Sequence, residues 1–223
     1  MNKYLIMLAI KQTRRFWQDQ WKIIKKHYRN KRFISSWLWL RGCYFLDSPY
    51  WVSRRFQRKS QLTDLHVYGE TPLLTLELIM NRVNLTACDH IFELGAGSGF
   101  TSVWLNTVNG CHVTAIEQVP VFCWRLQRTA RRFGLSGIEV RCADYLATSM
   151  EGASIIYLYG SNLERPVIEQ LTERLAMLPD QVRVISISYP LSDYSKKTPF
   201  PLIDQFTAGF EWGEANVFVQ SIR

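Results

Sequence analysis

Apolar positions in the C-terminal two-thirds of the chain switch repeatedly between two spacings, and the switches mark a run of elements. After Tyr68-Gly69-Glu70-Thr71-Pro72, residues Leu73 to Val83 repeat at helical spacing, with Pro72 suited to the first turn. Ile91 to Leu94 reads as a strand, Thr101 to Val108 as a helix, Cys111 to Ile116 as a strand, and Val121 to Phe133 as a helix that Gly134 can cap. Ile138 to Cys142 and Ser154 to Tyr159 follow as strands, Val167 to Met177 as a helix, and Val182 to Tyr189 as a fifth strand. Strands and helices taking turns predict an α/β fold with a doubly wound, mostly parallel sheet covered on both faces. Two last strands, Ile203 to Phe210 and Ala215 to Ile222, leave little room for a helix between them and should pair antiparallel, making seven strands.

The N-terminal part has a different pattern. Trp17, Trp21, Ile24 and Tyr28 recur every three or four residues, while Lys22, Lys25, Lys26 and Arg29 fill the positions between, which predicts a basic amphipathic helix. The apolar theme continues through Trp37-Leu38-Trp39-Leu40 until Gly42 and Asp47-Ser48-Pro49 break it. A domain boundary near residue 60 is expected, with a basic, aromatic-rich helical arm over 1–60 and a catalytic domain over 61–223. Such a helix can lie peripherally in a membrane interface, or dock by the same stripe on a partner or on the protein's own body, because periodicity reports burial and not its partner.

Charge sharpens the division. Residues 1–59 hold fifteen Lys and Arg against Asp19 and Asp47, and the rest of the chain holds twelve against seventeen acids, so the arm is +13 and the body −5. A block this basic attracts RNA phosphates or an anionic membrane surface, here through residues 1–40, and DNA is not expected as a partner. The run Tyr4 to Ile10, followed by Lys11, Arg14 and Arg15, is too short to span a bilayer, which takes about 20 residues, and lacks a small-residue cleavage site. Cys43, Cys88, Cys111, Cys123 and Cys142 are odd in number and without a CxxC pair, so a reducing, cytoplasmic setting is expected. His27, His66, His90 and His112 show no ligand spacing, and no metal is expected.

The stretch Ile91-Phe92-Glu93-Leu94-Gly95-Ala96-Gly97-Ser98-Gly99 carries a strand into three glycines and then a helix, the layout of a ligand-binding turn at the carboxyl end of a strand. The third glycine comes one residue too early for a dinucleotide fingerprint, and Phe100 stands where that fingerprint needs a small residue, so NAD is disfavoured.

The E-x-G-x-G-x-G pattern resembles the first motif of class I, seven-stranded methyltransferases, over roughly residues 65 to 223. The resemblance implies a Rossmann-like fold, S-adenosyl-L-methionine as cofactor, and an enzyme. It implies that Glu93 organises the methionine end of the cofactor beside a loop of Gly95, Ala96, Gly97 and Gly99. Glu117, with Gln118 next to it, would meet the ribose, and Asp144, with Tyr145, the adenine. Alone, Glu117 could as well cap the following helix and Asp144 start a turn.

The fourth strand, Ile155-Ile156-Tyr157-Leu158-Tyr159-Gly160-Ser161, lacks the Asn/Asp-Pro-Pro-aromatic clamp of enzymes that methylate adenine or glutamine nitrogen. Tyr157 and Tyr159, two apart, should share a face and line the methyl channel, or else pack against a helix. Tyr68 to Pro72 and Val184 to Leu191 are similar to segments of the lysine methyltransferases that modify adenine nucleotide translocase and the ATP synthase c subunit. That similarity implies that Tyr68, Glu70 and Thr71 close over the cofactor, with Glu70, Tyr157 and Tyr159 as catalytic candidates. The arm here is more basic than theirs. A protein substrate, methylated lysine-fashion at or near a membrane, is the leading expectation. RNA methylation, isoaspartate repair and a non-catalytic membrane-surface or RNA-binding adaptor are the rivals.

Overall fold

The computed structural model describes residues 18, 21–60, 68–195 and 199–223. Seven strands form one sheet: β1 (His90–Leu94), β2 (His112–Glu117), β3 (Ile138–Cys142), β4 (Ile155–Leu158), β5 (Arg183–Ile187), β6 (Leu202–Phe210) and β7 (Gly213–Ser221). Their order across the sheet is β3-β2-β1-β4-β5-β7-β6. The first five strands run parallel, and β7 enters antiparallel between β5 and β6. The expected mostly parallel sheet with an antiparallel C-terminal pair is therefore observed. The chain reverses its winding between β1 and β4, and in open α/β sheets that switch point opens a crevice beyond the carboxyl ends of the strands.

Residues 21–27 are helical, and among the described residues they are followed by α1 (Lys31–Cys43), α2 (Pro49–Ser60), α3 (Leu73–Arg82), α4 (Phe100–Trp104), α5 (Pro120–Arg132) and α6 (Arg165–Leu175). The expected helix over Thr101 to Val108 ends differently, because α4 widens after Trp104 into a π turn over Leu105–Asn109. There the Asn30 side chain donates to the Thr107 carbonyl at 2.8 Å while accepting from Phe33 N–H at 2.9 Å. One residue thus caps α1 and fastens it to the widened turn. Helix α2 lies where the Asp47-Ser48-Pro49 break left no expected element, and Pro49 suits its first turn because its missing N–H would be unpaired there anyway.

The segment before residue 60 packs on the body. Ile23, Phe33, Trp37, Leu40, Tyr44 and Val52 are buried in the same core as Val103, Trp104 and Phe122, forming a layer outside the helices that cover the sheet. Trp17 falls outside the described residues; Ile24 packs against that core, while Trp21 and Tyr28 are 66% and 59% exposed. Some of the basic residues also work internally. Arg32 donates to the carbonyls of Phe133 and Gly134 at the end of α5, where a cation meets the negative end of the helix. Arg132 of α5 stacks over the Trp39 ring at 4.2 Å. No described helix is long and apolar enough to cross a membrane.

Truncating Phe33, which is 0% exposed, to alanine is expected to cost about 3–5 kcal/mol. Trp21→Ala should stay within about 0.5 kcal/mol. Urea unfolding followed by far-UV circular dichroism measures both, and an unmoved midpoint for Phe33→Ala would mean that α1 is not part of the folding unit.

Candidate active site

A narrow cleft of about 20 Å³ opens at the switch point, beyond the carboxyl ends of the strands. It is lined by nine of the residues expected from sequence: Tyr68, Glu70, Thr71, Glu93, Gly95, Ala96, Gly97, Tyr157 and Tyr159. Gly69, Ser98, Phe100 and Thr101 complete the lining.

Local geometry explains why these residue types stand here. Gly97 has φ +54°, in the left-handed region, and a Cβ on it would lie 2.9 Å from Tyr68 Cε2, so glycine lets the Tyr68 ring approach the loop this closely. Its N–H donates to Glu117 Oε2 at 2.7 Å, and Val119 N–H donates to the other carboxylate oxygen at 2.8 Å. Glu117 is thereby held at the border of the cleft with acceptor capacity left on both oxygens. Glu93, in the central strand, pairs in register with Tyr157 of β4 and accepts from the Ser102 hydroxyl.

The segment 68–71 crosses the mouth. Glu70 accepts hydrogen bonds from both the Tyr68 and Ser98 hydroxyls, and the Thr71 and Tyr157 hydroxyls are bonded to each other. The Tyr159 hydroxyl accepts from Trp212 Nε1 at 2.9 Å, and Tyr50 donates to Glu211 Oε2 at 2.7 Å while its ring meets that of Tyr68 edge-on at 5.1 Å. Five other expected residues do not line the cleft. Gly99 starts α4 against Leu126, and Gln118 is exposed. Asp144 accepts from Leu146 N–H at 2.8 Å in a turn after β3, with half-buried Tyr145 beside it. These residues and Glu117 sit along the same carboxyl edge of the sheet, where an elongated ligand leaving the cleft would run.

Sequence reading missed Ser98, Thr101, Tyr50, Glu211 and Trp212. Ser98 sits inside the glycine motif, so its hydroxyl was available as a signal. Tyr50, Glu211 and Trp212 come from α2 and the β6–β7 turn, and only the folded chain joins them.

The electrostatics are one-sided. Burial pushes Glu93 up to about 8, and the charges that act on it are those of Glu117 and Glu70, both of which raise it further. Burial likewise raises Glu70 and Glu117, the first opposed by hydroxyl donors and Arg41, the second by backbone N–H groups. Tyr68, Tyr157 and Tyr159 are all raised by burial, so their hydroxyls stay protonated near neutrality. Three crowded, poorly solvated carboxylates make a site that gains from a cationic ligand. S-adenosylmethionine, with its sulfonium and ammonium, has the charge that this donor set fits.

The seven-stranded sheet, the glycine turn and the acids around it define a class I S-adenosylmethionine-dependent methyltransferase. Residues 46–173, more than half of the chain, match the protein-L-isoaspartate(D-aspartate) O-methyltransferase family, and the chain belongs to it. Similar curated proteins are a protein-L-isoaspartate O-methyltransferase of Methanococcus aeolicus, 26% identical over 100 residues, and one of Proteus mirabilis, 33% identical over 63 residues. The first alignment covers 42% of this chain and 46% of that protein, the second 28% and 29%, so the chain spans less than half of the length of either relative. Among solved structures, an RNA methyltransferase from Salinibacter ruber in complex with S-adenosyl-L-homocysteine is 19% identical with a TM-score of 0.56, covering 69% of this chain and 93% of that one. TrmN from Thermus thermophilus is 18% identical with a TM-score of 0.55, covering 77% and 53%. At these identities the likeness is one of fold.

Because Glu93 is raised above its ordinary value of 4.5, its contribution to the stability of the protein alone is full below that value and is lost as pH rises through about 8. A cation bound beside it favours the ionised form. Affinity for S-adenosylmethionine should therefore climb with pH toward about 8 and level off above it, with proton release on binding. Calorimetric titration in buffers of different ionisation enthalpy reads this directly. Glu93→Gln should flatten the profile, and a flat profile in the unaltered protein would contradict the charge argument.

Proposed function

We propose that this chain transfers a methyl group from S-adenosylmethionine to a protein side-chain amine of the lysine type, at or near a membrane. One observation carries the choice of acceptor: the mouth of the cleft is built from aromatic rings and carboxylates, with Tyr50, Tyr159 and Trp212 beside Glu70 and Glu211. Aromatic faces and carboxylates attract an ammonium and repel an anionic acceptor. The neighbouring cation, Arg41, lies over the Phe100 and Trp37 rings at 4.9 and 5.4 Å, and its charge acts on Glu70.

The cofactor supplies an electrophilic methyl group on its sulfonium. This chain's residues then have to hold the acceptor nitrogen in line, exclude water and receive a proton. The tyrosine hydroxyls, held protonated, orient the nitrogen by hydrogen bonding. Glu70, whose affinity for a proton is already raised by burial, takes the ammonium proton, and a desolvated lysine gives it up more readily than one in water. Tyr68, Glu70 and Thr71 form the cover that keeps water out, and Glu117, Asp144 and Tyr145 bind the adenosine end along the edge of the sheet.

Carboxyl methylation is the second reading, favoured by the family match over residues 46–173. Product chemistry separates the two. Label carried from methyl-labelled cofactor into a membrane fraction should survive mild alkali and be recovered as methyl-lysine after acid hydrolysis. Volatile methanol released by alkali would establish a carboxyl ester instead, and ribonuclease-sensitive label would sink both. Glu70→Gln is expected to lower kcat by about 10²–10⁴-fold and to move the remaining activity to higher pH, where the free amine needs no base. Unchanged turnover across the pH range would remove Glu70 from the mechanism.

A further inference from the structure

The connection between α1 and α2 holds two large apolar side chains out into solvent. Phe45 is 85% exposed and Leu46 94%. Their neighbours in sequence are pinned. Tyr44 is buried, with its hydroxyl donating to the Ser98 carbonyl at 3.3 Å, and Asp47 is paired with Arg125 at 3.1 Å and Arg55 at 2.9 Å. The Phe45-Leu46 tip is thus presented from a fixed base on the glycine loop and α5.

One helical turn on, Val52 and Phe56 turn α2 inward to the core, which leaves Trp51, Arg54 and Arg58 on its outer face with Lys59 beside them. Trp51 is 62% exposed, and α2 contains no acid. This surface adjoins the catalytic mouth, because Tyr50 bonds Glu211 and Trp212 bonds Tyr159.

We propose that the 45–59 surface is a docking site for an anionic lipid bilayer, with Phe45 and Leu46 entering the interface, Trp51 at headgroup depth and Arg54, Arg58 and Lys59 against lipid phosphates. Two features favour lipid over a folded partner or RNA. The apolar residues form a protruding tip and not a groove that a helix or strand could fill. Phosphates alone would account for the cations but would leave the tip without a role. A bilayer surface accepts both, in layers: apolar side chains below, aromatic rings between, cations at the phosphates. The inference deepens the membrane-proximal part of the proposed function by naming the surface and its lipid chemistry, and it requires no particular acceptor.

The test is co-sedimentation of the full chain with vesicles of phosphatidylcholine and phosphatidylglycerol, against phosphatidylcholine alone. The unaltered chain should favour the anionic vesicles. Phe45→Ser with Leu46→Ser should weaken partitioning by about tenfold or more, and Arg54→Glu with Arg58→Glu should abolish the preference for anionic lipid. Met177→Ser, at another exposed apolar residue, should change nothing. Equal melting temperatures would exclude misfolding, as expected for side chains already in water. Vesicle binding undiminished in the Phe45/Leu46 variant, or none by the unaltered chain, overturns the proposal. So does a filter-retention assay with single-stranded RNA in which the unaltered chain binds and the Arg54/Arg58 variant does not, while that variant still prefers anionic vesicles. No substrate or cofactor enters the assay, so failure of amine methylation and failure of lipid docking are read separately.

Discussion

The site depends on negative charge kept from water. Glu93 is in the middle of a parallel sheet, Glu117 at the end of the adjacent strand, and Glu70 in the segment that crosses the mouth. Burial favours the protonated form of each, and the charges of Glu117 and Glu70 raise Glu93 further. Much of the nearby architecture answers that problem. Backbone N–H groups of Gly97 and Val119 serve Glu117, hydroxyls of Tyr68 and Ser98 serve Glu70, and the Ser102 hydroxyl serves Glu93. These donors orient the carboxyl groups without supplying positive charge, which leaves the ionised form of Glu93 without a counter-charge until a cation arrives.

The N-terminal helices contribute to the same arrangement from outside. Asn30 ties α1 to the π turn behind the glycine loop, and Arg32 closes the end of α5. Tyr44 reaches the Ser98 carbonyl inside the motif itself. The family match begins at residue 46, so α1 lies ahead of it, yet α1 packs on the helices that carry the motif loop and Glu117. A change in α1 packing would reach the cofactor loop through these contacts.

The α/β body was legible because both of its periods are plain. Strands such as Ile138–Cys142 are continuous or alternating apolar runs, and Gly110 and Gly134, both with positive φ, mark the ends of the first two helices between them. The glycine loop and its acids were legible for a related reason: left-handed backbone and buried charge demand residue types that stand out in sequence. What escaped was set by long-range contact. The stripe Trp21, Ile24, Tyr28 was visible, but only packing shows that Ile24 turns inward while Trp21 and Tyr28 stay in water. Helix α2 was hidden by its arginines, since of its apolar residues Val52 and Phe56 pack on the core while Trp51 stays in water. Trp212 met Tyr159 across 53 residues of chain, a pairing that no local pattern encodes.

The division of charge, +13 in the first 59 residues and −5 in the rest, acquires a function on the proposed reading. A lysine near an anionic membrane is held by the headgroups and must be drawn from them before it can react. Arginines on α2 compete for those same phosphates, while the carboxylates and rings at the mouth offer the released ammonium a better-matched site within a few ångströms of Tyr159. Attraction to the membrane and attraction of the acceptor thus come from opposite charges placed side by side. A uniformly basic enzyme would repel the side chain that it must bind, and a uniformly acidic one would be driven off the surface. Keeping the two signs on separate elements, α2 outside and the strand ends inside, lets one protein satisfy both demands.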